Sequence, residues 1–392
     1  MFGERLRQLR LARGFTLEAL AARMGGLVTK QALSKYEGAK SFPSSVVLMK
    51  LASALEVKPD RLLSDPTVSV EFVAYRKGSK LGKREQEHAE SLAKEGLQER
   101  VRLQGLTGQF NGSHLPVHTL VVKRLEDVET RATDLRARWN LGLDPIASVV
   151  DALEEHFVHV LEIDAKEGFE GISAVAFDEG RNVAAAAVVT RRGVPGERQR
   201  LNLAHEVGHL VLKVPAAVDE EGAAFRFGGA FLAPAEIIRN QVGTRRSSIQ
   251  LRELFLLRDR FGMSMQALLY RFRDLDIISE SHYRSWCRNM SILGWRKKEP
   301  EESQPERPRW LQRTVVRALA EDLITQEDAE RILGERVQIE LPLSRIERRA
   351  FMKLPLEERR RILAEQAARA AAAWEEDYAD WRKIEGGDIA EY

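Results

Sequence analysis

Leu201-Asn202-Leu203-Ala204-His205-Glu206-Val207-Gly208-His209-Leu210-Val211-Leu212 is the stretch from which the fold of this 392-residue chain is read. Its apolar residues recur at helical spacing on both sides of a His-Glu-x-x-His pattern. On a helix, His205 and His209 are four residues apart and project from one face, close enough to grip one metal ion. Glu206 lies beside them, where a carboxylate can take a proton from a metal-bound water. The pattern also fits two core histidines on an amphipathic helix. Against that, three polar groups interrupting an apolar helix are costly to bury without a partner. A catalytic zinc site uses three protein ligands and one water, so a third ligand is expected downstream.

The next segment, Asp219 to Pro234, reads as a second helix ended by Pro234. Ala224, Phe225, Gly228 and Phe231 give it a face able to pack on the first helix. Glu221 lies on that face and is the expected third ligand. Glu220, one residue away, is the runner-up. Asp219 and Glu220 also suit the N-terminal end of a helix dipole.

The run Arg198 to Leu212, followed by Glu221-x-x-Ala-x-x-Phe-x-x-x-Phe-Leu-x-Pro, resembles the ImmA/IrrE family of zinc metallopeptidases. Leu135 to Ile146 upstream, and Phe261 to Arg271 and Gly294 to Pro300 downstream, resemble further landmarks of that family. The resemblance covers roughly residues 130 to 336. It implies one zinc per chain on His205, His209 and Glu221, with Glu206 as general base. It also implies a regulatory protein as substrate, either a partner repressor or the chain itself. Phe225 and Gly228-Gly229 depart from the family pattern and are expected to loosen the second helix.

Residues 1 to 66 read as a separate domain of five short helices. Leu6, Leu9, Leu17, Leu20 and Ala21 supply a periodic core, and Gly14, Gly25-Gly26, Pro43 and Pro59 supply the breaks. Thr16 to Met24, Val28 to Glu37, Pro43 and Leu51 to Val57 resemble the XRE-type helix-turn-helix of phage repressors. Thr29 can cap the helix that follows it. Lys30, Gln31, Ser34 and Lys35 would then face base edges in a major groove, the chain binding operator DNA as a homodimer. Arg5, Arg10, Arg13 and Lys40 could neutralise phosphates.

Between these domains, residues 67 to 130 read as a linker. Val68 to Tyr75 could be a strand, Tyr75 to Arg84 is a basic run, and Arg84 to Leu103 reads as an exposed amphipathic helix. Residues 131 to 300 form the peptidase-like domain. A helix is expected from Leu143 through Glu155, with strands at Val158–Ile163, Ile172–Phe177 and Asn182–Thr190. They would make a small mixed sheet against the zinc helix. Asn182–Thr190 is the candidate edge for binding an extended peptide as an added strand. His156 and His159 read as structural. Tyr270, Arg271, His282 and Tyr283 are candidates to stabilise an oxyanion.

Residues 301 to 392 read as an acidic linker, two short helices and a helical tail. The tail from Leu354 to Tyr392 resembles that of some type II antitoxins, which wraps a toxin; a solvated helix fits it equally. The fold class expected is therefore mainly α: a five-helix DNA-binding domain, a zincin-like α+β domain and a helical C-terminal region. Lys+Arg number 61 against Asp+Glu 59, so any basic surface must be local. The single cysteine, Cys287, precludes an internal disulfide and suits a cytoplasmic protein. No run is long and apolar enough for a membrane span, and no signal-peptide pattern is expected. The function expected is a DNA-binding regulator with an endopeptidase domain. The alternative is a non-catalytic repressor or antitoxin whose zinc domain senses a signal.

Overall fold

Leucine spacing near 3.6 and well-placed capping residues turn the first 63 residues into five helices: α1 (Phe2–Ala12), α2 (Leu17–Arg23), α3 (Lys30–Glu37), α4 (Ser45–Ala54) and α5 (Pro59–Leu63). The side chains of Thr16, Thr29 and Ser44 cap α2, α3 and α4 by accepting from Ala19 N, Ala32 N and Val47 N. Leu6, Leu9, Leu20, Leu33, Leu51 and Leu55 are fully buried together, each stabilising the domain by about 1.5–3 kcal/mol.

The computed structural model describes residues 2–64, 67–75, 82–109, 117–165, 169, 171–337, 351–365 and 367–368. It is mainly helical, and it divides into a unit of residues Met1–Arg336 and a second unit of Val337–Tyr392. In the second unit, residues 351–353 and 356–365 are helical. Leu356 and Leu363 are exposed there. Most of the expected antitoxin-like tail, and residues 76–81 of the basic run, lie outside the described residues. Among the described residues, no helix is long and apolar enough to cross a membrane.

The sheet of the first unit has strand order β1-β4-β5-β3. The strands are β1 (Ser69–Tyr75), β3 (Val158–Ile163), β4 (Ile172–Phe177) and β5 (Val183–Arg191). β1 and β4 pair antiparallel, β4 and β5 antiparallel, and β5 and β3 parallel. The continuous apolar run of β5 is explained by its central place, because Ala184–Val189 is buried on both faces. This corrects the expectation that Asn182–Thr190 is an edge. The edge positions belong to β1 and β3.

Two helices sandwich the sheet. α6 (Lys83–Leu106) covers one face through Ala89, Ala93, Leu97 and Val101. α9 (Gly196–Val211) covers the other through Leu203, Ala204 and Val207. The segment expected to be a linker with an exposed helix thus supplies an edge strand and one wall of the core. Its polar residues are buried too, because α1 and α15 (Trp310–Ala320) both pack against the helix. Gln98, Glu99, Arg100 and Gln104 are all under 9% exposed.

The remaining elements follow in order: the short β2 (Leu120–Val121), α7 (Asp127–Arg138), α8 (Val149–Glu155), β6 (Leu212–Lys213), α10 (Glu220–Leu232), α11 (Ala235–Val242), α12 (Leu251–Phe261), α13 (Met265–Asp274), α14 (Glu280–Ile292), α15 (Trp310–Ala320) and α16 (Gln326–Leu333). The helix expected from Leu143 begins only at Val149, behind the cap Ser148. Buried arginines have claimed the carbonyls before it. Arg136 donates to Gly142 O and Asp144 O, and Arg200 to Ile146 O and Ala147 O. These bonds hold residues 142–147 in a non-helical path, and Pro145 disfavours helical backbone at the residue before it.

Residues 300–309, expected as a loose acidic linker, form a pinned strap. Ser303 N donates to Glu197, Glu306 N to Gln199, and Val150 N to the Glu306 carboxylate. Glu306 also pairs with Arg200. Glu154 accepts the backbone N–H groups of Arg309 and Trp310. The strap's acids are structural partners rather than a solvated charge run.

Candidate metal centre and nucleic-acid interface

Helices α9 and α10 cross at their glycines. A Cβ built on Gly208 would stand 3.1 Å from the backbone of Ala224, and one on Gly228 would stand 3.0 Å from His205 N. Gly228 therefore does not loosen α10, which runs unbroken from Glu220 to Leu232. It lets the second helix lie directly against the backbone that carries the first histidine. Gly208→Val is expected to lower stability by about 1–3 kcal/mol, because overpacking forces two helix backbones apart. A urea midpoint unchanged from wild type would contradict the crossing.

This crossing brings together His205, His209 and Glu221, whose ligand atoms all lie within 4.8 Å of one another. His205 Nε2 and His209 Nε2 are 3.1 Å apart. The Glu221 carboxylate is 3.6 Å from the first and 3.5 Å from the second. Ligand atoms held at about 2.1 Å around a tetrahedral ion stand about 3.4 Å apart, so the three groups fit a zinc ion. Glu220 approaches His209 differently, with its carboxylate 3.7 Å from Nδ1, the nitrogen outside this convergence. Both histidines are 4% exposed, while the Glu221 side chain is half-exposed and leaves the centre open on one side.

Glu206 is 3% exposed and packs against the start of β4. Ser173 Oγ donates to the Glu206 carboxylate and to its backbone oxygen. A Cβ on Gly171 would come within 2.6 Å of Glu206 Oε1, so only glycine leaves room there for the carboxylate. Neither Ser173 nor Gly171 was singled out from the sequence. The available signal was a lone hydroxyl in the apolar strand Ile172–Phe177, since a buried polar side chain requires a partner.

The four oxyanion candidates separate. Arg271 is 2% exposed and is committed to Glu129 at 2.6 Å and to Ala233 O at 3.1 Å, tying α13 to α7 and the end of α10. His282 Nε2 accepts from Ile249 N. Tyr270 and Tyr283 stand edge to face with ring centroids 6.3 Å apart. Tyr270 meets Phe225, which in turn meets the His205 ring at 5.9 Å. Phe225 thus walls the candidate metal centre. His156 stacks on Trp139 and His159 is buried against Trp310. Neither belongs to the one group of potential metal ligands found among the described residues.

In the N-terminal domain, Leu33 anchors α3 in the core. Thr29, Lys30, Gln31, Ser34, Lys35 and Lys40 are all exposed. Thr29 caps α3, and Lys30 pairs with the exposed Glu18 at 2.9 Å, a contact weakened by solvent. The arginines assigned to phosphates turn inward instead. Arg10 makes two bonds to Glu37, at 2.6 and 2.9 Å. Arg5 donates to Gln98 and Arg61 O, and Arg13 to Glu95 and Leu55 O. The placement of Arg5 and Arg13 follows from the docking of α1 on α6, which an isolated reading of the first 66 residues does not contain, whereas the partner of Arg10 lies within those residues. Lys40 remains available.

Residues 1–64 match the family model of a helix-turn-helix domain. Residues 187–273, which contain α9 and α10, match that of the IrrE N-terminal-like domain, a peptidase family. The chain is 40% identical over 63 residues to the SPbeta prophage-derived uncharacterized HTH-type transcriptional regulator YonR of Bacillus subtilis strain 168. That similarity spans 16% of this chain and 56% of the relative.

Proposed function

We propose that the chain is a DNA-binding transcriptional regulator carrying a zinc-dependent endopeptidase, which cleaves a regulatory protein: a partner repressor or the chain itself. The observation that carries this reading is the convergence of His205, His209 and Glu221 around one point, with Glu206 on the same helix. A purely structural zinc site would not need that carboxylate. Zinc bound there would lower the pKa of a water to about 7, from about 15.7 in bulk. Glu206 accepts the proton from the attacking water and passes it to the leaving amine. Ser173 fixes the carboxylate for that transfer. The match of residues 187–273 to a peptidase domain supports the same reading.

Incubating the full chain with proteins co-expressed from neighbouring genes tests the peptidase arm. New N-termini that appear with zinc and vanish with a chelator are the expected result. Cleavage indifferent to the metal would refute it.

On DNA, the chain should bind an inverted repeat as a homodimer, with half-sites about one helical turn apart. Gln31→Ala should relax base preference at one position of each half-site by about 1–3 kcal/mol. Lys40→Ala should weaken all sequences alike and flatten the salt dependence. Binding measured across single-base operator variants distinguishes the two roles. Uniform loss for Gln31→Ala would show that it reads no base.

A further inference from the structure

Where the helix-turn-helix domain meets α6 and the α15–α16 pair, a cavity of about 380 Å³ is lined by Arg13, Arg61, Arg100 and Arg331, with Leu311 and Ile332 as apolar wall. Three acids also line it, and each already has an arginine. Glu56 pairs with Arg23, Glu95 with Arg13 at 3.0 Å, and Glu99 with Arg61 and, at 2.6 Å, with Arg102. Arg100 differs. It is 8% exposed, and its guanidinium donates to Gly96 O, one turn back on its own helix. No carboxylate stands within ion-pair distance of it among the described residues. The Nε atoms of Arg61, Arg100 and Arg331 are all buried without an acceptor. Buried donors are ordinarily satisfied, so three unmade ones around one cavity mark a place for an acceptor.

We propose that this cavity binds a small organic anion, a carboxylate or phosphate joined to an apolar group, with Arg100 as its charged partner and Arg331, whose terminal nitrogen already pairs with Asp328, offering its buried Nε. Burial pulls Arg100 down to about 10, against the opposing pull of the Glu154 and Glu99 carboxylates, so it keeps its charge at neutral pH. Leu311 and Ile332 take the apolar part. Such a ligand also competes with Glu95 and Glu99 for Arg13 and Arg61, the residues that seat the helix-turn-helix domain on α6. The site therefore couples a small metabolite to the placement of the DNA-binding domain. It does not depend on the metal centre.

Calorimetry on the full chain at constant ionic strength, with phenyl phosphate as probe and benzyl alcohol as neutral control, tests the proposal. Wild type should bind phenyl phosphate saturably and ignore the alcohol. Arg100→Met should weaken binding by about tenfold or more, as loss of a charge-assisted pair does. Arg284→Met, at an exposed surface position, should leave it unchanged. If Arg100→Met does not fold, Arg331→Met should show the same loss. The proposal fails if wild type shows no saturable binding, or if the cavity variants bind phenyl phosphate as wild type does.

Discussion

A chain carrying Glu206→Gln should retain its metal, its fold and its operator affinity, yet cleave its target about 10²–10⁴-fold more slowly, the usual cost of losing a general base. The substitution is nearly isosteric, and Ser173 Oγ can donate to an amide oxygen as it does to the carboxylate. The amide accepts no proton from water, so only the chemistry is removed. A slow regulatory cut reduced by that factor is abolished in practice, and the operator should stay repressed under the inducing signal. A non-catalytic repressor or antitoxin predicts the opposite: induction in Glu206→Gln like wild type. In that case truncation after Gly334 should be the damaging change, because it removes the tail from Leu354 to Tyr392.

The second large effect concerns the metal. Purified protein should carry about one zinc per chain, and His205→Ala or His209→Ala should strip it, since two buried imidazoles supply most of the site. Glu221→Ala should also lose metal, whereas Glu220→Ala should keep it, because Glu220 faces His209 Nδ1 rather than the point where both Nε2 atoms meet. Zinc that binds the native state and not the unfolded chain stabilises the native state by mass action. A chelator should therefore lower the melting temperature of wild type and leave the His205→Ala variant unmoved. Retention of full zinc by Glu221→Ala, with loss in Glu220→Ala, would reverse the ligand assignment.

The convergence of His205, His209 and Glu221 was legible because it depends on local spacing. A helix period puts His205 over His209, and Pro234 and the small face of the next helix bring Glu221 to them. The exposed face of α3 was legible for the same reason. Long-range contacts were not. Arg5 and Arg13 read as phosphate contacts until α6 is seen to lie against them, and no pattern within the first 66 residues announces that helix. The run Val183–Val189 was correctly read as a strand. Its central place is set by β4 and β3, which pair on either side of it, while β1, from residues that read as linker, pairs with β4 and forms the edge. The helix expected from Leu143 was lost to Arg136, a few residues upstream, and to Arg200, far enough along the chain to escape any local window. Gly228 was misread because its value lies in the neighbour it admits, the backbone of His205.

The most direct measurement combines zinc content and cleavage in the same samples. Wild type and Glu206→Gln are loaded with zinc, assayed by elemental analysis, and incubated with the co-expressed regulatory proteins before mass spectrometry of new termini. The account predicts about one zinc per chain in both proteins and a defined cut in wild type alone. Equal cleavage by the two zinc-loaded proteins, or none by either, would contradict it.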